Sequence, residues 1–471
     1  MSDNTTHVVV VGGGITGLAC AHRLLDSARS LHRELRVTIL ESQAKVGGVI
    51  RTSPFAGLPF VDEGADAFLL RVPAGLALAR SVGLGDVLTS PAVSHASVWR
   101  NEMHALPEGL LLGVPTNMKA LAKSRLISWR GKARASLDIA LPRTTTEPDS
   151  LGRFMRTRLG NEVHEMLIDP LVGSIYAGDT DHFSLEAMAQ LRELAESGRS
   201  MLLSARSRPK PQPVSPENPI FAAPLEGMGA LIGATYAHVL RLGGVVQTST
   251  EVQSIERAGA GGYLIHVNSP EGSHTLDASH VVVCAPAKHA AQFFSESDPI
   301  VSSLLASSEH ASVVMVSLAI AKTSFPARYR GSGYLVPKPE QRFITAVSFA
   351  SQKWKHLDST SSAILRVSLG RDGAPLHEHD DDELMSFVLA DLKVHLGTEV
   401  HPSDTRITRW KESFPQYRPH HFHHVTHVEK HLAAELPNVF VAGASWRGIG
   451  VPSCIEQGVK SADAIVATLR A

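Results

Sequence analysis

Short apolar runs recur at widely separated points of the chain and read as strands of one sheet. Val8-Val9-Val10-Val11 has no polar alternation, as expected of a parallel strand covered on both faces. Val37-Thr38-Ile39-Leu40, Val281-Val282-Val283 and Val439-Phe440-Val441 are further apolar runs, and the stretch from Val245 to Ile255 reads as a strand around Val252. Leu18, Ala21, Leu24 and Leu25 are spaced for one helix face directly after the first run, and Ile455, Val459, Ala462, Val466 and Leu469 give a C-terminal helix with Pro452 in its first turn. Residues 74–142 look largely helical, as does the stretch leading into Asp169. Between 311 and 370, runs such as Val313–Val316 and Ala363–Val367 alternate with turns, the mark of an antiparallel sheet. Ser204–Pro219 carries five prolines and reads as a flexible loop. The pattern is that of an α/β chain whose later strands rejoin the domain of the first.

Glycines at the end of the first strand change this picture most. Gly12-Gly13-Gly14-Ile15-Thr16-Gly17 places GxGxxG between strand and helix, where unpaired helix N–H groups bind a pyrophosphate. Glu41, closing the second strand, is the acid expected to accept ribose hydroxyls, and it disfavours a 2′-phosphate. Gly47-Gly48 follows at once; a simple NAD unit does not need this pair, whereas a flavin enzyme with a longer wrapping loop does. Gly64-Ala65-Asp66-Ala67 is small enough to pass close to a flat ring. Arg71, after an apolar run, calls for an anionic partner, either a ligand or Glu63 or Asp66 on the surface. Tyr176 stands among small residues from Gly173 to Asp179, near a ligand or in a tight turn. The turn Trp446-Arg447-Gly448-Ile449-Gly450-Val451 brings a second helix start that can stabilise negative charge. Lys119 to Arg134 has no acid between Glu108 and Asp138, giving a solvated basic face or a surface for anionic lipid or substrate.

At 471 residues, 43% hydrophobic and 19% charged, the chain has length for two or three globular domains. A net charge of −1 offers nothing to nucleic acid. Cys20, Cys284 and Cys454 are too far apart for a disulfide or zinc framework, which suits a reducing compartment. Residues 1–6 carry no signal-peptide pattern and no run is long enough to span a bilayer, so a cytoplasmic enzyme without a transmembrane segment is expected, with peripheral membrane contact left open. His420 to His424, read as part of a loop, lack companion ligands, and no metal is assigned; Cys454 reads as a packed residue.

The glycine motif, Glu41, Gly47-Gly48, Gly173 to Asp179 around Tyr176, Arg409-Trp410, Pro415-Gln416-Tyr417 and Gly443 to Gly458 together resemble the protoporphyrinogen/coproporphyrinogen oxidases of the flavin amine-oxidase-like superfamily, along essentially the whole chain. Leu106-Pro107, Gly113 to Thr116, Gly131 to Ala135 and Thr408 to Ser413 look most like the soluble Gram-positive type, the oxygen-dependent coproporphyrinogen III oxidases. The resemblance implies an FAD-binding Rossmann-like domain in three parts (1–90, 216–300, 406–471), an inserted helical domain (91–215) and an antiparallel-sheet substrate domain (301–405). It implies FAD contacts at Gly12 to Gly17, Glu41 and Ser42, Gly47 and Gly48, Gly64 to Ala67, Val252, Trp410 and Ile449 to Val451, and substrate contacts at Arg71 and Tyr176. The implied reaction is six-electron oxidation of a porphyrinogen, with O2 as acceptor, H2O2 as by-product and hand-over to a chelatase of haem synthesis. Two departures stand out: Gly64-Ala65-Asp66-Ala67 where the family commonly has Gly-Pro-x-Ser, and Glu456 in place of an aspartate. Rival readings are a protoporphyrinogen oxidase, a flavin amine oxidase and, outside enzymes, a Rab escort or GDP-dissociation-inhibitor-like binding protein.

Overall fold

The computed structural model describes residues 6–208, 218–259 and 261–470. Residues 1–5, most of the proline-rich loop and the expected 215/216 boundary lie outside the described residues. A five-stranded parallel sheet is centred on Thr6–Val11, which pairs with Leu35–Leu40 and His280–Val283; Val245–Gln247 and Val439–Val441 lie at its edges. The side-chain period of two explains the valine run. Val8 and Val10 enter one buried cluster with Leu18, Leu24 and Ile455, while Val9 and Val11 enter another with Ile265, Phe294 and Val425. Helices Ile15–Ser30 and Val451–Arg470 cover the first face together.

The stretch from Val245 to Ile255 is two strands rather than one. Ser249, at φ 50°, breaks it, and Glu251–Arg257 begins a separate antiparallel sheet with Tyr263–Ser269 and Gly272–Ala278. A second correction concerns residues 74–142. Helices occur at Pro73–Ser81, Met118–Lys123 and Trp129–Ser136, but Ala96–Arg100 and Glu102–Ala105 form a hairpin that joins the seven-stranded sheet. There Val98 and Trp99 are buried, and Asn101 makes the turn at φ 60°. Spatial order in that sheet runs Pro402–Pro415, His310–Ala321, Ser362–Leu369, Ile344–Phe349, Gly333–Leu335, then the hairpin. All pairs are antiparallel except Gly333–Leu335 with Ala96–Arg100. Pro402–Pro415 is one continuous strand across the expected 405/406 boundary.

Alternation gives the large sheet two unlike faces. Leu365, Val367 and Leu369 pack with Leu384, Val388 and Leu392 of helix Asp381–Leu396, which Asp380 caps by accepting the Glu383 N–H at 2.8 Å. The opposite face carries Arg366 and Ser368. Within the helical part, Arg158 and Asp138 are both buried and joined at 2.6 Å, and Arg158 also donates to the Pro142 carbonyl at 2.6 Å. Two cations of the basic segment are consumed internally, Lys132 on the Ala122 and Ser124 carbonyls and Arg134 on Thr157. The histidine tract is not a loop: His421–Glu435 is a helix with Val425, Val428 and Leu432 turned inward, and His421 stacks on Tyr417 at 4.0 Å.

Burial pushes His164, His395 and His421 down to about 4 from 6.5. These rings stay neutral when folded, while the unfolded chain takes up protons below 6.5. Their linkage is flat above pH 7, and stability is lost as the pH falls from 6.5 toward 4. The thermal midpoint is therefore expected to fall across that interval and to fall less in His395→Gln; an equal acid loss in wild type and variant contradicts the assignment.

Candidate active site

The site begins where the first strand stops. Gly12 takes φ 106° while its N–H donates to the Leu40 carbonyl at 2.8 Å. At Gly17 a methyl group would collide with the Gly12 carbonyl oxygen, so only glycine lets the helix sit this close to the strand. Gly14 caps the helix in extended conformation without any side-chain cap bond, and nothing stands within 4 Å of the place a Cβ would take. The first N–H groups of the helix therefore face open space, the arrangement that binds an anion. Gly47 ties the second glycine pair to this turn by donating to Gly13 O at 2.9 Å. Glu41 is buried, its Oε2 accepting Gly13 N–H and its Oε1 accepting Gln43 N–H, both at 2.8 Å. The carboxylate is thereby fixed, with lone pairs left for hydroxyl donors.

A cavity of about 1020 Å³ extends from this turn to the polar face of the seven-stranded sheet, at the upper limit of common ligand pockets (~300–1,000 Å³). Gly12, Gly14, Ile15, Thr16, Glu41, Ser42, Gly47, Gly48, Gly64 to Ala67, Val252, Trp410 and Ile449 to Val451 line it. Gly13 and Gly17 stand behind the wall, the first against Glu41 and the second against Gly12. Trp410 donates its indole N–H to Glu63 O at 3.2 Å and lies under the Arg51 guanidinium, whose carbon is 5.2 Å from the ring centre. The last helix starts at the cavity wall, with Cys454 buried there and its thiol pushed up to about 12 by burial, which makes it a packing group.

Arg71 and Tyr176 are not among the residues lining the cavity. Arg71 is exposed, two residues before the Pro73 that starts a helix, where the chain has already turned outward. Tyr176 ends its helix at the left-handed Ala177 and packs on Phe183 and Tyr417, with ring centres 4.6 and 5.9 Å away; burial pushes its phenol up to about 12. Its neighbours Gly173, Ser174, Ile175 and Ala177 do reach the cavity. Sequence reasoning passed over Asp169, Lys353, Arg366 and Arg371, all of which line it. One signal was available: Arg366 interrupts the otherwise uncharged strand Ser-Ala-Ile-Leu-Arg-Val-Ser-Leu.

Residues 15–466 match the model of the flavin containing amine oxidoreductases. The chain belongs to that family. It is 34% identical over 466 residues to the coproporphyrinogen III oxidase of Bacillus subtilis, covering 97% of each chain, and 28% identical to the enzyme of that name from Staphylococcus aureus, covering 99% and 100%. A solved structure from Exiguobacterium sp. 255-15 that carries the name protoporphyrinogen oxidase superposes with a TM-score of 0.85 at 25% identity, covering 99% of this chain and all of that one. Cyclohexylamine oxidase from Brevibacterium oxydans shares the fold, at TM-score 0.69 and 17% identity. Membership makes the chain an oxidoreductase with FAD as its cofactor. The residues suit that group: an open helix start for the pyrophosphate, a fixed acid for the ribose, and a second helix start across the same cavity.

Glu41→Ala removes the acid placed to accept ribose hydroxyls, and a hydrogen bond to a charged group is worth about 1.5–3 kcal/mol, so FAD retention after gel filtration is expected to drop about tenfold or more. Gly17→Ala is expected to abolish it. Wild-type FAD content in both variants contradicts this reading of the turn.

Proposed function

We propose that the chain oxidises coproporphyrinogen III to coproporphyrin III in the cytoplasm, with O2 as final acceptor and H2O2 as by-product. What carries this reading is one cavity that joins the nucleotide turn to the sheet face bearing Arg366, with Lys353 at the end of the short helix Ala350–Lys353 also lining it, together with similarity along the whole chain to relatives of that name. FAD, when bound, would accept one hydride equivalent (two electrons) per step, so that three such steps would complete the six-electron oxidation. The protein's part is to bind and orient. Gly12, Gly14, Ile15 and Thr16 would hold the pyrophosphate, with Gly13 and Gly17 shaping the turn behind them; Glu41 and Ser42 would hold the ribose; Gly47, Gly48, Gly64 to Ala67, Val252, Trp410 and Ile449 to Val451 would complete the cofactor contacts. The small and polar residues of the sheet face, Thr345, Ala346, Ser348 and Ser368, leave room for a flat macrocycle against it. No helix among the described residues is long and apolar enough to cross a membrane, in keeping with a substrate whose propionates make it water-soluble. The product passes to a chelatase of haem synthesis.

The test is turnover of coproporphyrinogen III and protoporphyrinogen IX by the FAD-loaded chain, side by side in detergent-free buffer. Porphyrin fluorescence is expected to appear from coproporphyrinogen with at least tenfold higher kcat/KM. Equal or faster protoporphyrinogen oxidation, or no oxidation of either, contradicts the proposal.

A further inference from the structure

The charges along the cavity wall are unevenly matched. Arg371 lies 3.6 Å from Asp169, while Lys338 stands 3.4 Å from Asp169 and 2.6 Å from Asp179, so two cations there face two carboxylates. Where Gly64 to Ala67 meets the large sheet, two cations share one acid. Lys353 Nζ at 2.8 Å and an Arg366 terminal nitrogen at 3.2 Å both reach Asp66 Oδ2, which also accepts the Trp354 indole N–H at 3.1 Å. Behind them Asp62 is already engaged by Thr52 and the Met228 N–H, and it stands beside Arg406.

Arg366 is 5% exposed, its other terminal nitrogen donates to the Gly64 carbonyl, and its Nε has no hydrogen-bond partner among the described residues. A buried guanidinium with an unused donor shares its one salt-bridge acid with an ammonium, and leaving either cation poorly matched is costly. Both residues line the cavity. Arg366 stands opposite Ser317 and Ser348 on the neighbouring strands, so small side chains surround it on that face.

We propose that Lys353 and Arg366, braced by Asp66, seat one peripheral carboxylate of the tetrapyrrole substrate. This rests on the substrate class argued above and names the group of the protein that reads it. Burial alone would push the Asp66 carboxyl up, but Lys353 and Arg366 outweigh it and hold the acid well below the usual carboxylate range. The brace stays charged, and it fixes both cations across the junction of cofactor region and sheet before substrate arrives. A propionate entering there brings a second acid to two charged donors that share one, and charge-assisted hydrogen bonds are stronger than neutral ones. An esterified side chain gains nothing from the seat.

The experiment uses the FAD-loaded chain and its variants Lys353→Met, Lys353→Arg and Arg366→Lys, with Lys355→Met as a control that removes an exposed charge nearby. Binding of coproporphyrin III and of its tetramethyl ester is followed by fluorescence, and KM and kcat are measured with coproporphyrinogen III. Lys353→Met is expected to raise the coproporphyrin Kd and the KM at least tenfold, with kcat within threefold and ester binding unchanged. Lys353→Arg restores both to within threefold, Lys355→Met behaves as wild type, and Arg366→Lys, which keeps the charge but loses the fork, weakens the acid and spares the ester. Wild-type acid binding in Lys353→Met and Arg366→Lys, or equal losses for acid and ester, overturns the seat. A wild-type chain that neither oxidises coproporphyrinogen nor binds coproporphyrin overturns the substrate reading itself.

Discussion

The approach of the first helix to the first strand at Gly17 is the constraint on which the rest depends. With no side chain there, the helix start lies against the Gly12 carbonyl, and its unpaired N–H groups face open space at Gly14. Glu41 is pinned beside that start through Gly13 and Gln43, and Gly47 is tied to the same turn. The last helix is drawn to the same place by Gly458, where a methyl group would strike the Thr16 carbonyl. Two helix starts thus reach one cavity because two glycines permit backbone-to-backbone contact.

The other half of the site depends on a different physical device. A sheet with one apolar face packed on a helix can carry charge on the other face only if that face looks into a polar space. Arg366 does so on a central strand, and Asp66 from the cofactor side meets it there. The ion cluster joins the two halves of the site, so cofactor loop and substrate face are positioned by one set of charges.

Much of this was legible along the chain, and the gaps have physical causes. The valine strand, the glycine turn, Glu41 and the last helix are local patterns, and each stands where local spacing placed it. The hairpin of Ala96–Ala105 was hidden in a segment whose flanks are helical, because short strands borrow their stability from partners far away in sequence. Arg71 drew attention because an arginine after an apolar run signals a need for an anion; in the structure it stands at an exposed turn outside the cavity lining, where water meets that need. For Tyr176, small neighbours do not say which way the large residue between them turns; here it turns to Phe183 and Tyr417, while Gly173, Ser174, Ile175 and Ala177 line the cavity. Lys353 and Arg366 escaped notice because their partner, Asp66, is nearly three hundred residues away (separations of 287 and 302 for Lys353–Asp66 and Arg366–Gly64).

The central claim is that one cavity holds the flavin and a reduced tetrapyrrole against each other. Mixing the FAD-loaded chain with coproporphyrinogen III in the absence of O2, and following flavin absorbance in a stopped-flow instrument, tests it most directly. The account predicts bleaching of the oxidised flavin band at a rate that saturates with substrate concentration, and colour regained when O2 is admitted. A flavin that stays oxidised under saturating coproporphyrinogen would contradict it.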